Sequence, residues 1–470
     1  MRRRISFVLG AIIVGGCTVG PDYQPPQIDL PPRFEAPSAS QMPPIDLAEW
    51  WHGFHDPALD QLVSEAIQNN LSLKIVAQRI VVARADRDAV AAAESPTINA
   101  TASGFNNRES EKLHWPKGLG EYKTYQFGLE GSWEIDLFGG TRRAIEAADA
   151  QTGVVEEDKR AAMVALLGEL AADYAILRSD QHRLDIARRN ISAQSNAFDL
   201  SRRALAAGLG TEVDVSRAEA ELRISEAMVP ELEGGVSHMC HAIAVLLGRF
   251  PEDLKTEVFD SGKHELSPPP LPSAVPSDVL RNRPDIRRAE RQIAAATARV
   301  GVATADLFPK FKIPLGIAPT ASNFGALPAF EALNWTLGAA ASQNIFDGGR
   351  ADARVQAAEA IAEADRLAYR QTVLEAFREI EDRLTGYDVE RRRQISLAAA
   401  VAREREAFDQ ITRLYARGLV DFYKVLDSER AVFHAEDSLA QSELNQTLDI
   451  IGLYRGLGGG LETKSALRSG

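Results

Sequence analysis

The sequence predicts a mainly α-helical chain with membrane β-structure: an internally duplicated protomer with four transmembrane strands and several long helices. Three observations predict it. Thirteen of the 23 prolines are gathered into two clusters, and residues 117–229 and 329–470 are proline-free. An apolar ladder with the spacing 3, 3, 4, 3 occurs twice, 210 residues apart. Strict two-residue alternation of apolar and polar side chains runs from Tyr125 to Leu137.

Composition removes the competing classes. The 470 residues would suffice for two or three globular domains. A mean hydropathy of -0.19 and the lack of any apolar run of about 20 residues exclude a polytopic helical membrane protein. Two cysteines exclude a disulfide scaffold. A net charge of -13 argues against a nucleic-acid partner, which would require a basic face.

The N-terminus has the grammar of an export signal over residues 1–16. Arg2, Arg3 and Arg4 form a positive start, Ile5 to Val14 an apolar core, and Gly15-Gly16-Cys17 a small-residue cleavage site. Val14-Gly15-Gly16-Cys17 resembles a bacterial lipoprotein signal, which would leave Cys17 as a lipidated first residue. Thr18 in place of the aspartate that retains such proteins at the inner membrane points to the outer membrane. Cleavage takes the net charge from -13 to -16, because three arginines leave. Cys240 then has no disulfide partner. The run His238-Met239-Cys240-His241 imitates a metal site but lacks carboxylates and the usual zinc spacing, so helix packing is expected.

Eight prolines lie between Pro21 and Pro44, which reads as an extended tether covering residues 17–56. Five more between Pro268 and Pro276 mark a linker, residues 251–276. The repeats are expected at 57–250 and 277–458, followed by a short tail at 459–470. Proline inside a helix costs about 3 kcal/mol, so the proline-free stretches permit long helices. Val164, Leu167, Leu170, Tyr174 and Leu177 map onto Leu374, Phe377, Ile380, Leu384 and Tyr387, with a coiled-coil period. Gly208 and Gly418, and Gly248 and Gly458, share the offset, while Gly139-Gly140 pair with Gly348-Gly349 at one residue less. Helices are expected over 71–94 and 284–305, each ending near a proline. Longer ones are expected over 141–206 and 350–416, each on the order of 100 Å if continuous.

Between these helices lie the strands. Tyr125, Phe127, Leu129, Gly131, Trp133, Ile135 and Leu137 alternate with Gln126, Gly128, Glu130, Ser132, Glu134 and Asp136. Residues 97–105 form a weaker partner. The second half supplies Phe311, Ile313, Leu315 and Ile317, then Trp335, Leu337, Ala339, Ala341 and Ile345. Pro314 falls on the opposite face. One face suits lipid and the other water, as in a transmembrane barrel. Four strands do not close a barrel, and lipid tolerates no open edge. Copies must pool strands, as an 8-stranded dimer or a 12-stranded trimer.

Several motifs, taken in order, carry a resemblance. They are Cys17-Thr-Val-Gly-Pro-Asp-Tyr23; Trp50-Trp51, Phe54 and Asp56-Pro57-Ala58-Leu59; Arg283-Pro284-Asp285-Ile286; Phe308-Pro309; and Phe346-Asp347-Gly348-Gly349-Arg350. Nearly the whole chain resembles the TolC/OprM-type outer-membrane efflux lipoproteins, in their NodT-like drug-efflux branch. The resemblance implies a homotrimer, with a 12-stranded β-barrel in the outer membrane continued by a periplasmic helical barrel. It implies a passive duct docked to a periplasmic adaptor and an inner-membrane pump of the resistance-nodulation-division class. It implies no catalysis and no cofactor beyond the lipid on Cys17. No Walker, His-Glu-x-x-His or Gly-x-Ser-x-Gly motif is present. His52 and His55 beside Asp56 imitate a metal site, but Asp56-Pro57 matches the family's helix cap.

The turn from Tyr415 to Asp427 resembles the family's closed periplasmic end. Asp427 falls on the family's aspartate and Tyr423 on the position of a bulky gate residue, on one helical face. Three carboxylates around an axis would raise one another's pKa and attract cations. Lys424 stands where some relatives have a second aspartate, which favours an Asp427 ring with a Tyr423 plug. The alternative is that Asp427 only pairs with Arg430. Glu130, Glu134 and Asp136 are expected to line the lumen and favour cations mildly. Two other readings are a protein-secretion exit duct and a lipid-anchored coiled-coil scaffold without a pore.

Overall fold

A computed structural model describes residues 18–28, 31, 34, 47–110, 112, 120–254, 268–271 and 282–461. The expected lipidation residue Cys17, much of the tether and linker, and the tail beyond residue 461 lie outside the described residues. The chain divides into two compact units, each drawing on both halves of the sequence.

The first unit comprises Met1–Gln27, Arg79–Val155 and Arg288–Tyr369. It holds an antiparallel sheet of β1 (Thr97–Arg108), β2 (Glu121–Ile135), β3 (Lys310–Ile317) and three short pieces, β4 (Thr320–Ala321), β5 (Trp335–Leu337) and β6 (Ala340–Ser342). The order is β1-β2-β3-β5, with β4 extending beside β2 and β6 beside β3. Register joins the apolar positions into continuous rows. Ile98 faces Gly131, which faces Leu315, which faces Leu337. Ala100, Leu129, Ile317 and Trp335 form the next row. On the other face Asn99 meets Glu130, and Glu134 meets Lys312. Phe127, Trp335 and Leu337 are 62%, 68% and 71% exposed, so this apolar face is bare in the single chain. Pro314 explains the break between β5 and β6. It has no N–H to give the ladder, and only its carbonyl is used, accepting from the Gly338 N–H at 3.1 Å.

Beside the sheet, α5 (Pro284–Ala305) packs Ala296 and Val300 on Ala362. Phe138 stacks on Phe308 with centroids 4.7 Å apart where strands give way to helices.

The second unit comprises Ile28–Gln78, Glu156–Arg287 and Arg370–Gly470. It begins with α1 (Pro57–Asn69), capped by Asp56, whose Oδ1 accepts from the Ala58 N–H at 2.9 Å. Pro57 occupies the first turn, where its missing N–H is not needed. α2 (Leu71–Ala91) starts here and ends in the first unit. The long pairs are α3 (Gly140–Ala206) with α4 (Glu212–Leu246), and α6 (Arg350–Ala416) with α7 (Phe422–Gly456). Both pairs are 67 and 35 residues long and begin 210 residues apart.

The glycines that punctuate them adopt left-handed backbone, with φ 71° at Gly208 and Gly418 and 82° and 84° at Gly139 and Gly349. Those φ values pair Gly139 with Gly349, so the second repeat carries its extra residues before the helix. Sequence alone had placed the glycine pairs one residue out of step. Two further details differ from the sequence reading. Pro230 lies inside α4, which continues through it past the buried Leu232 and Val236. In α6 the buried line runs through Val373, Ala376, Ile380 and Leu384, and Leu374 is 62% exposed. Phe377 is partly buried there, its ring 5.3 Å from that of Phe34.

Candidate channel-lining and closure residues

The β2 carboxylates have three different fates. Glu130 is exposed on the polar face of the sheet and accepts from Gln126 Nε2 at 3.3 Å. Glu134 faces Lys312 across the ladder, with the ammonium 3.4 Å away. Asp136 lies one residue beyond β2 and is drawn into the start of α3, accepting from the Arg142 N–H at 3.0 Å and from its Nε at 3.3 Å. A carboxylate there complements the positive end of the helix dipole.

At the other end of the long helices, two hairpin turns pack on each other within the second unit. Phe422, Val425 and Leu426 of α7 bury against Ala197 of α3 and Ala218 of α4, with Phe198, Phe408, Ile411 and Tyr415 around them. Each turn starts its returning helix with a cap. Thr211 and Asp214 form a reciprocal capping box on α4. On α7, Asp421 accepts from the Lys424 N–H at 3.2 Å. Lys424 occupies the position corresponding to Asp214, so this second cap lacks the returning carboxylate.

Tyr423 and Asp427 both sit on the open side of α7. Tyr423 is 43% exposed, and the Arg217 guanidinium lies 5.1 Å from its ring centroid. Asp427 accepts from Arg430 Nη2 at 2.9 Å, and about half of its side chain stays in contact with solvent. Arg430 also approaches Glu221 of α4 at 3.8 Å.

Three residues at this tip escape motif reading. Arg217 occupies the position in the first repeat that Asp427 occupies in the second, so the 210-residue offset alone would have found it. Glu221 and Glu429 have no such signal. Glu429 is only 6% exposed, its Oε1 has no hydrogen-bond partner, and burial followed by the nearby Glu221 pushes its pKa up to about 7. Cys240 is fully buried on the face of α4 that carries Val236 and Ile243. His52 Nδ1 lies 2.7 Å from Asp60 Oδ1.

A sheet with one apolar and one polar face, and paired helices of equal length in each repeat, are the elements of a strand-and-helix outer-membrane protein. A family model for outer membrane efflux proteins matches residues 62–249 and 275–459. Nodulation protein T of Rhizobium leguminosarum bv. viciae is 30% identical over 97% of this chain and 93% of its own length. The solvent efflux pump outer membrane protein SrpC of Pseudomonas putida is 28% identical over 96% of both chains. Among solved structures, the outer-membrane channel OprN superposes with a TM-score of 0.88 at 36% identity, covering 94% of this chain and 99% of that one. The chain belongs to the outer membrane efflux protein family.

Proposed function

We propose that three copies of this chain form the passive exit duct of a tripartite efflux system, anchored by lipid on Cys17. The duct takes solutes from a periplasmic adaptor and an inner-membrane pump of the resistance-nodulation-division class, and carries out no chemistry of its own. The observation that carries this reading is the sheet. Its apolar rows are bare, and among the described residues the outer edges of β1 and of β5 and β6 have no strand partner. Lipid tolerates neither an open edge nor an unpaired backbone, so strands from further copies must complete it. Drugs and other small toxic solutes are the cargo that fits, since SrpC is named for solvent efflux.

In this reading Tyr423 and Asp427 close the periplasmic end, where threefold repetition turns one exposed residue into a ring. Arg217 and Arg430 hold the two side chains in place. Glu130 contributes the uncompensated charge of the lumen, because Lys312 offsets Glu134 and α3 occupies Asp136. The test is single-channel recording in planar bilayers, with the heat-modifiable trimer monitored on gels. The Asp427→Ala, Tyr423→Ala double variant should conduct several-fold more than the parent. Unchanged conductance removes both residues from the closure, and no conductance from either protein removes the duct.

A further inference from the structure

Two segments join the strands at the end of the sheet away from the helices, and their compositions are opposite. Residues 109–120, between β1 and β2, include Glu109, Glu111, Lys112 and Lys117. Residues 318–334, between β3 and β5, carry a single charge, Glu331, and the large apolar side chains Phe324, Leu327, Phe330 and Leu333. Phe324 and Phe330 are 75% and 84% exposed.

The backbone of the second segment is well tied. β4 carries the ladder past β3, pairing Ala321 with Tyr125. Asn323 Oδ1 accepts from the Ala326 N–H at 2.9 Å and caps a 3-10 turn, Phe324–Ala326. A second turn spans Phe330–Ala332, and the Ala318 N–H donates to the Asn334 carbonyl at 2.7 Å where the loop closes. A preorganised loop thus displays two phenylalanines whose rings are largely bare.

This loop continues the apolar rows of the sheet. Tyr125 stands on the face of β2 that carries Phe127, Leu129 and Trp133, and its ring lies across β1, where a Cβ on Gly104 would stand 3.3 Å from it. Phe324 meets the Tyr125 ring edge-on, with centroids 6.2 Å apart. At the other end, Trp335 lies in the row of Leu129 and Ile317, and Leu333 stands two residues before it in extended backbone. The height fits as well. Lys310, one residue beyond the Ile135–Phe311 pair, marks the inner margin of the apolar face. From Ile135 to Tyr125 the strand runs about 34 Å, which a tilt of about 40° reduces to about 25 Å. That is the height of the apolar band of an outer-membrane barrel, so Tyr125 and Phe324 stand at its outer margin.

We infer that the 318–334 loop is a lipid-binding element, in which Phe324 and Phe330 enter the acyl chains of the outer leaflet and hold the loop outward, clear of the duct mouth. Bare phenylalanines beside a single charge suit a membrane boundary and not bulk water. Lipid is the occupant because the patch is continuous with rows that already face lipid. The inference therefore rests on the lipid-facing sheet.

The test places a nitroxide on the full chain at Phe324→Cys and, separately, at Phe330→Cys, in trimers reconstituted in phosphatidylcholine vesicles. Phe127→Cys, on the apolar face of the sheet, is the lipid reference, and Leu209→Cys, 86% exposed at the turn after α3, is the water reference. The unsubstituted chain is the labelling blank, and the heat-modifiable trimer on gels shows that each variant assembles. Phe330 makes no ring contact among the described residues, so its variant keeps the test open if Phe324→Cys does not assemble. Collision of the label with oxygen, which concentrates in lipid, is compared with collision with a water-soluble nickel complex. The oxygen-to-nickel ratio at both loop positions should lie near that of Phe127 and several-fold above that of Leu209. A ratio like that of Leu209 at either position puts the loop in water and overturns the inference. Weak collision with both reagents puts it against a second copy and also overturns it. A water-like ratio at Phe127 would instead overturn the lipid-facing sheet, and the loop's role with it.

Discussion

Glu429 is the residue whose replacement tests the tip most directly. It follows Val425 and Leu426 on the buried face of α7, and Ser428 beside it also has a buried hydroxyl without a partner. Burial is the main cause of its raised pKa, and Glu221 the second. The other charged groups at this level are Arg430, which reaches towards Glu221, and Asp427, which is held by Arg430. A carboxyl that ionises near 4.5 in water and near 7 in place is harder to ionise in the packed tip. The packed tip thus binds a proton over a range where an opened tip has released it. Stability is complete below about pH 4.5, falls as pH rises towards 7, and is flat above. That difference costs the packed tip roughly 3 kcal/mol at pH 8 and about 1 kcal/mol at pH 5. Glu429→Gln removes the ionisation. Hydrogen exchange of the peptides spanning 212–230 and 422–433, parent against variant at matched pH, reads the difference. At pH 8 the variant should be protected about a hundredfold more strongly than the parent, and at pH 5 only about fivefold more. A gain of equal size at both values, or a loss at pH 8, would refute the reasoning that a buried charge strains this tip.

Two further outcomes follow from the sheet. With Glu134 offset by Lys312, Glu130→Gln should lower the preference for cations in reversal-potential measurements, and Lys312→Gln should raise it. Shifts of the same sign in both variants would take this face out of the pore. The duplication also predicts the contact between copies. Trp133, five residues before Phe138, faces Ile313, four residues after Pro309. The corresponding positions are Ala341 before Phe346 and Ala100 after Pro96. Cysteines placed at Ala100 and Ala341 should therefore cross-link between copies in the assembled trimer and not within one chain. A cross-link confined to monomers would contradict the register.

Much of the fold was legible because it rests on periodicity. The alternation in β2 and the spacing in α3 are one-dimensional signals, and the glycine turns marked the ends of the long helices to within a few residues. What escaped depends on contacts between distant segments. Leu374 carries the right residue type for a buried ladder, but its neighbour Val373 takes the buried position. Pro314 looked like an objection to a strand until its neighbour Gly338 showed how the break is taken up. Asp136 continues the alternation of β2 in sequence, yet the chain leaves the sheet one residue earlier and the helix takes the carboxylate. Glu429 was invisible for the same reason. A glutamate in an amphipathic helix reads as solvent-facing unless α4 is known to cover it.

The duplication explains why the unforeseen residues collect at the tip. Two repeats with helices of identical length should close symmetrically. At the tips they diverge. Glu219 and Glu429 occupy equivalent positions, but Glu219 is half exposed and lies 3.7 Å from Arg223, whereas Glu429 is buried. Glu212 begins α4 in solvent, and Phe422 begins α7 in the core. Arg217 faces the ring of Tyr423, and its own counterpart is Asp427. The first tip has a complete capping box and an exposed Glu219; the second has an incomplete cap, a buried acid and an exposed aromatic. A tip that carries an incomplete cap and a buried acid is closer to opening than one that does not.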